Sequence, residues 1–200
     1  MQGIPTSHQY EPIIGIWVKA EPRHIETFLH NWEKQRNIQA FCTYDLPPML
    51  PEGGIIFLHA INLNQLVAYA KYVGCEYVKG WYEHTKLRDD RIWIGERERV
   101  WHTYGPHRLH THNKEDFNKF WEAQMGVRGL FLMRDIQKTP KTIPWNNSMR
   151  ILQVFRPLGF SYRYLTTTQV QKFLDLVDLK IEIKIKGITF PRVITRLKQP

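Results

Sequence analysis

The stretch EGGIIFLHAINLNQLVAYAKYVG, from Glu52 to Gly74, decides the fold. Its two apolar segments, Ile55 to Ala60 and Leu66 to Tyr72, contain the aliphatic and aromatic residues that favour strands. The polar NLNQ between them is typical of a turn. Three prolines between residues 47 and 51 prevent regular structure just upstream. The stretch therefore predicts a β-hairpin.

The segment upstream of the hairpin predicts a strand followed by a helix. PIIGIWVKA, from Pro12 to Ala20, is typical of a buried strand. In the next segment apolar residues recur at i, i+3, i+4 and i+7, which forms one face of a helix, and Pro22 stands near the start of that helix. These helix residues are Ile25, Phe28, Leu29 and Trp32. We assign Trp17 and Trp32 to the core.

Further strands are predicted downstream. Gly129 to Ile136 forms one strand, and residues 149–165 form one or two strands around a turn at Pro157 to Gly159. The chain is therefore mostly β with inserted helices, an α+β protein. Residues 10–166 form the main domain.

Residues 167–200 are predicted to be an extension of that domain. Val170, Phe173, Leu174 and Val177 mark one helix face, with caps available from Thr166 to Thr168. KIEIKIKGITF then alternates apolar and polar residues as a strand with one wet face does. We expect this helix and strand to pack on the domain, or to offer an edge through which two copies associate as a homodimer.

Charge points to a polyanionic partner. The 200 residues include 28 Lys and Arg but only 19 Asp and Glu, which gives a formal net charge of +9. Such an excess favours nucleic acid or an anionic membrane surface, while solubility alone is the other explanation. No apolar stretch reaches the roughly 20 residues needed to span a bilayer, and the N-terminus lacks the pattern of a secretory signal. We expect a cytoplasmic protein that binds no membrane.

Two features raise the question of a metal. Cys42 and Cys75 are far apart in sequence and form no C-x-x-C pair, so neither a zinc knuckle nor a disulfide framework is indicated. His107, His110 and His112 lie close together before a helix capped by Asn113. If that segment is extended, alternation sends His107 to one side and the other two rings to the opposite side. We therefore expect no metal and no cofactor.

The order of these parts resembles the PUA-like superfamily. The motifs are EGGIIFLHA, QLVAYAKYVG, RLHTHNKEDFNKFW, GLFLMRDIQKTPKTIPW and GFSYRYLT. The likeness covers about residues 12–166 and is strongest to the EVE and ASCH branches and to small archaeal PUA-like proteins of unassigned function. It implies a mixed or closed β barrel with flanking helices, and a cleft that binds RNA or a modified base. The stretch from Gly80 to Tyr104 is longer than the family's usual connection.

One segment is the best local candidate for a binding face. If RIWIGERERVWHTY, from Arg91 to Tyr104, is a strand, alternation places arginines and tryptophans together as a platform for phosphates and bases. This face comprises Arg91, Trp93, Arg97, Arg99 and Trp101. If the segment is instead a turn or a helix, its tryptophans pack inward and its arginines are solvated.

Other candidates follow from the resemblance. In the EVE-like branch the loop after the first strand and helix lines the base pocket, which implies Arg36, Asn37 and Tyr44 here. Asn is able to pair with base edges and Tyr is able to stack, although Asn37 also suits an ordinary turn. On the closing strand, Arg163 lies between Tyr162 and Tyr164 and serves either a structural contact or a phosphate.

Two functions are therefore predicted. The first is a module that binds nucleic acid, with RNA favoured, or a modified base. The alternative is a small hydrolase or nuclease that uses His107, His110 or His112 with Glu115 or Asp116. The Lys, Thr and Glu set of amidohydrolase members of the ASCH branch is not found, so a protein without enzymatic activity is favoured.

Overall fold

The computed structural model of the chain describes residues 11–82, 87–111, 113–123, 126–154, 162–183 and 185. In chain order the elements are β1 (Ile13–Ala20), α1 (Pro22–Gln35), β2 (Gln39–Thr43), β3 (Ile55–Ala60), β4 (Gln65–Tyr77), β5 (Trp81–Tyr82), β6 (Leu87–Arg88), α2 (Asp90–Arg108), α3 (Lys114–Glu122), β7 (Gly129–Pro144), α4 (Trp145–Leu152), β8 (Tyr162–Thr166) and α5 (Thr167–Leu176). No helix in this described part of the chain is long and apolar enough to cross a membrane.

Six of the strands form one mixed sheet in the order β2-β7-β4-β3-β1-β8. Strands β1 and β3 are parallel, and every other pair in this sheet is antiparallel. Within the described residues β2 and β8 stand at opposite edges and do not pair, so the sheet is open. The predicted α+β class with a mixed sheet is confirmed, but closure into a barrel is wrong.

The sheet buries both of its faces. One face, called here the α1 face, is covered by α1 through Ile25, Phe28 and Trp32. The other, called the α5 face, is covered by α4 and α5. Side chains along β1 and β3 alternate between the two faces, so that Val18 lies on the α1 face and Trp17 on the α5 face. Helices α2 and α3 form a third cluster with β2 and the start of β7.

Most of the predicted elements are confirmed. The hairpin is β3 with β4, the first strand and helix are β1 and α1, and Gly129 begins the long strand β7. Asn113 caps α3, as its Oδ1 accepts the Asp116 N–H at 2.8 Å. Trp17 and Trp32 are buried.

Of the two readings of Arg91 to Tyr104, the helix is the one observed, and part of one predicted strand is helical as well. Arg91 to Tyr104 lies in α2, a helix capped by the Asp89 carboxylate, which accepts the backbone N–H groups of Arg91 and Ile92. Met149 to Leu152 belongs to α4, whereas the end of the same predicted segment is β8. The local alternation in both segments is outweighed by helix signals and by packing.

The C-terminal part contributes to the core. Helix α5 begins with a capping box in which Thr166 and Gln169 satisfy each other's backbone N–H groups. Its Val170, Phe173 and Leu174 pack on the α5 face. Residues 180–183 are not a strand, and most of the predicted strand beyond them lies outside the described residues. The predicted homodimer edge falls there too.

Candidate nucleic-acid interface

A groove of about 540 Å³ opens where the carboxyl ends of β1, β3 and β7 meet. We call it the strand-end groove. Its lining comes from the last residues of those strands, from the β3–β4 turn and from the start of α4. The lining residues are Lys19, Ile61, Asn64, Pro144, Trp145 and Asn146.

Backbone hydrogen bonds hold the rim of this groove. The Ile61 N–H donates to the Ala20 carbonyl at 3.0 Å, which ties the end of β3 to the end of β1. Asn64 adopts the left-handed conformation with φ of 49°, which Asn tolerates better than most residues. Its carbonyl accepts the Trp145 N–H at 2.8 Å. The turn and the start of α4 are therefore joined directly.

Two further aromatic rings pack against the groove-lining Trp145. The Trp17 and His59 ring centroids are 5.0 Å apart, and the half-buried Trp145 lies 5.5 Å from Trp17 and 4.9 Å from His59. Lys19 pairs with His59 in the register of β1 with β3. The Lys19 side chain therefore lies on the same face of the sheet as the Trp17 and His59 rings. Aromatic surface and positive charge therefore occur together at this groove.

His59 is neutral at physiological pH. Burial, reinforced by the positive charge of Lys19, lowers the pKa of His59 from 6.5 to about 4. Neither of its ring nitrogens has a hydrogen-bond partner among the described residues, and the same is true of Trp17 Nε1. The groove is thus backed by polar atoms that are shielded from solvent but not satisfied.

Helix α4 points its N-terminus at the groove. Pro144 occupies the N-cap position and supplies no capping side chain. The first N–H groups of a helix carry partial positive charge and favour an anion nearby. Lys19 and this helix end would therefore both favour an anion at the groove.

The arginines and tryptophans predicted to share one face of the segment from Arg91 to Tyr104 lie in α2 and do not form a single face. Trp93 is only 2% exposed and its Nε1 donates to the Val127 carbonyl at 3.0 Å, so it is not accessible for stacking. Trp101 is half-buried against Phe117, with 5.3 Å between ring centroids. Arg91 is exposed on the first turn.

The two other arginines of the predicted face are engaged by carboxylates. Arg97 pairs with Glu122 at 2.5 Å and with Glu98 at 3.4 Å. Arg99 bonds Glu76 and Glu96 at 3.0 Å each, and these contacts raise its pKa. A phosphate would have to compete with these carboxylates.

The predicted loop residues lie at opposite ends of β2. Arg36 is the left-handed C-cap of α1, with its guanidinium 5.9 Å from the Trp32 ring centroid. Asn37 donates to the Gln35 side chain at 3.2 Å. Beyond β2, the Tyr44 hydroxyl donates to the Phe120 carbonyl at 2.9 Å and the two rings stack. These three residues therefore do not converge, and their role in binding stays a prediction.

Arg163 is the predicted residue that lies nearest to the strand-end groove in register. It pairs with Trp17 across β8 and β1, so both side chains belong to the α5 face. The prediction missed the groove residues themselves. The signal for them was His59, a polar residue inside the apolar run IIFLHA, and Trp145, which directly follows a proline.

The histidines of the alternative enzyme do not assemble a site in the described residues. His107 lies in α2 and is exposed, whereas His110 is 3% exposed and burial lowers its pKa well below 6.5. Glu115 pairs with Lys119. His112 lies outside the described residues. Across the part of the chain that is described, no three metal-ligating side chains come together.

The chain resembles solved structures along most of its length. ASCH from Zymomonas mobilis has a TM-score of 0.57 and 14% identity, covering 82% of this chain and 95% of that chain. A mutant of the same protein gives 0.57 and 15%, with 82% and 98% covered. Human THYN1 protein in complex with 5-methylcytosine containing DNA has a TM-score of 0.47 and 12% identity, covering 84% and 99%. No family model and no curated protein matches the sequence.

This likeness shows that the chain has the fold of the Zymomonas mobilis ASCH protein, so the predicted ASCH-like fold is confirmed. It extends over most of both chains. At this level of identity it concerns the fold alone, so the function has to be argued from the groove.

Proposed function

We propose that this chain is a module that binds nucleic acid, with RNA favoured, by taking one nucleobase into the strand-end groove. The observation that carries the proposal is the half-buried indole of Trp145 on the groove wall, next to Lys19, Asn64 and Asn146. The module needs no catalytic group for this role.

The size and lining of the groove suit a base. A volume of about 540 Å³ falls within the 300–1,000 Å³ typical of sites for small ligands. Stacking of a base on an aromatic side chain contributes ~1–3 kcal/mol. The amides of Asn64 and Asn146 carry both donors and acceptors, which are able to pair with a base edge.

Charge supports a polymer rather than a free base. The chain has a formal charge of +9, and Lys19 and the N-terminus of α4 direct positive potential at the groove. Arg163 lies on the same face of the sheet. A phosphate backbone that crosses the groove entrance would meet these groups, as would the 2′-hydroxyls that distinguish RNA from DNA.

Trp145→Ala tests the proposal, with Trp101→Ala as the matched control. Both tryptophans are half-buried, but Trp101 belongs to the α2 cluster. Because loss of one stacking contact costs ~1–3 kcal/mol, we expect Trp145→Ala to weaken binding of a fluorescent single-stranded RNA at least about fivefold. Trp101→Ala should change the affinity less than twofold.

The same titration includes a DNA of identical sequence and a circular dichroism check that each variant is folded. Tighter binding of the RNA supports the favoured polymer. Equal losses in the two variants, or no binding by the unaltered protein at low salt, would show that the groove is not the site.

A further inference from the structure

Two rings that contact the groove-lining Trp145 carry buried polar atoms that have no hydrogen-bond partner within the described part of the chain. Trp17 Nε1 and both ring nitrogens of His59 lack hydrogen-bond partners among the described residues. Trp17 is 3% exposed and His59 is fully buried. More than nine in ten buried polar groups in native proteins are hydrogen-bonded, and each exception calls for an explanation such as a missing ligand. Here the exceptions sit in two adjacent rings.

Trp145 contacts both of these rings and also lines the groove. Its backbone N–H is held by the Asn64 carbonyl, while its side chain is half-buried. A rotation of this side chain would therefore open a path from the groove to Trp17 and His59 without moving the helix.

We infer that Trp145 is a movable cover, and that Trp17 and His59 hydrogen-bond the edge of the nucleobase that stacks on it. This inference rests on the proposed function and adds the residues that distinguish a base from the rest of the nucleotide. Trp17 offers one N–H donor. A neutral His59 offers one N–H donor and one nitrogen acceptor. An edge with adjacent acceptor and donor groups, as every nucleobase has, complements this pair.

The chemistry of the recess favours a base edge over a phosphate. An anion would stabilise a protonated imidazole, but His59 is buried and its pKa is lowered to about 4. Lys19 and the α4 N-terminus, which suit an anion, line or face the open groove instead. The arrangement therefore separates a charged entrance from a neutral polar interior.

The experiment compares two RNA hexamers, one with bases and one abasic, on the full chain. We expect the unaltered protein to bind the hexamer with bases at least tenfold more tightly than the abasic one. His59→Phe keeps an aromatic ring and removes both nitrogens. The ratio of the Kd for the abasic hexamer to the Kd for the hexamer with bases should therefore fall at least threefold in this variant. His59→Gln restores a donor and an acceptor and should recover part of the ratio. His30→Phe, on an exposed histidine of α1, is the control and should leave it unchanged.

A second measurement checks that the His59→Phe variant is folded. Because His59→Phe removes two unsatisfied buried nitrogens, its thermal midpoint should equal or exceed that of the unaltered protein. An unchanged base-to-abasic ratio in a folded His59→Phe variant would overturn the inference while leaving the proposed function standing. Failure of the unaltered protein to bind either hexamer would overturn both.

Discussion

Two buried histidines, His59 and His110, lie on different sides of the sheet. Burial disfavours the charged form of both rings. His110 packs among the rings of His24, Phe41 and Phe120, with 4.2 Å between its centroid and that of Phe120. Neither histidine has a hydrogen-bond partner for its ring nitrogens among the described residues. Burial lowers the pKa of each, because a charged imidazole would lose its hydration.

This shared feature predicts that the protein loses stability in mild acid. Below pH 6.5 the unfolded chain protonates His59, but the folded chain does not until about pH 4, so protons favour unfolding between these values. From pH 7.5 to pH 5, His59 alone should lower the free energy of unfolding by about 2 kcal/mol. His110 acts in the same direction. Urea denaturation at the two pH values measures the loss.

Single substitutions assign the effect. His59→Phe and His110→Phe should each reduce the loss between pH 7.5 and pH 5, whereas His30→Phe, at an exposed position, should not. Equal pH dependence in all four proteins would mean that neither buried ring has a lowered pKa in the folded state. Such a result would also remove the argument for a neutral polar interior behind Trp145.

At the level of single residues, the sequence identifies burial better than it identifies neighbours. The core roles of Trp17 and Trp32 follow from local periodicity and are confirmed. The contact of Trp17 with His59 depends on the parallel register of β1 with β3. Its contact with Trp145 depends on where β7 ends, because Trp145 directly follows that strand. Those pairings join distant parts of the chain, so no local pattern could reveal them.

At the level of elements, α2 shows how an alternating pattern misleads. Arg91 to Tyr104 alternates well enough to predict a strand, but the buried residues of the helix recur every three to four positions. They are Trp93, Glu96, Val100 and Tyr104. The acidic cap Asp89 was the local signal for a helix. Helices α1 and α3, whose apolar faces are wider, were predicted correctly.

Substitutions at two glycines test the packing of α2 and its helical structure. Gly126 has φ of +85°, and a Cβ there would lie 2.5 Å from Trp93 Cζ2. Gly95 lies within α2, and a Cβ there would meet nothing within 4 Å. Gly126→Ala should therefore destabilise the fold by about 2–4 kcal/mol through strain and overpacking. Gly95→Ala should stabilise it by about 0.5–1 kcal/mol through helix propensity.

Chemical denaturation of the two variants checks this pair. Both changes add one methyl group, so the opposite signs isolate the packing of α2 against the segment before β7. A neutral Gly126→Ala would mean that Trp93 does not pack as tightly as described. A destabilising Gly95→Ala would mean that this part of α2 is not helical in solution.

At the scale of the whole molecule, the sheet order explains why the predicted site residues do not form one site. Arg163 lies on β8 and Tyr44 just beyond β2, and these are the two edges of the sheet. Five strand spacings of about 4.8 Å separate the edges by about 24 Å. The net charge of +9 indicates a polyanion as the class of partner, but only the fold locates the groove that could receive it.

Salt dependence distinguishes the strand-end groove from the α2 arginines as the place where phosphates bind. Each phosphate contact that a cation makes releases counterions, so binding should weaken steeply between ~50 and ~200 mM salt. If Lys19 contacts a phosphate, Lys19→Ala should reduce the slope of log affinity against log salt by about 1. Arg97→Gln with Arg99→Gln should leave the slope unchanged, because both guanidiniums already pair with carboxylates. A slope that falls by about 2 in this double variant and not at all in Lys19→Ala would place the phosphates on α2, as the alternating pattern first predicted.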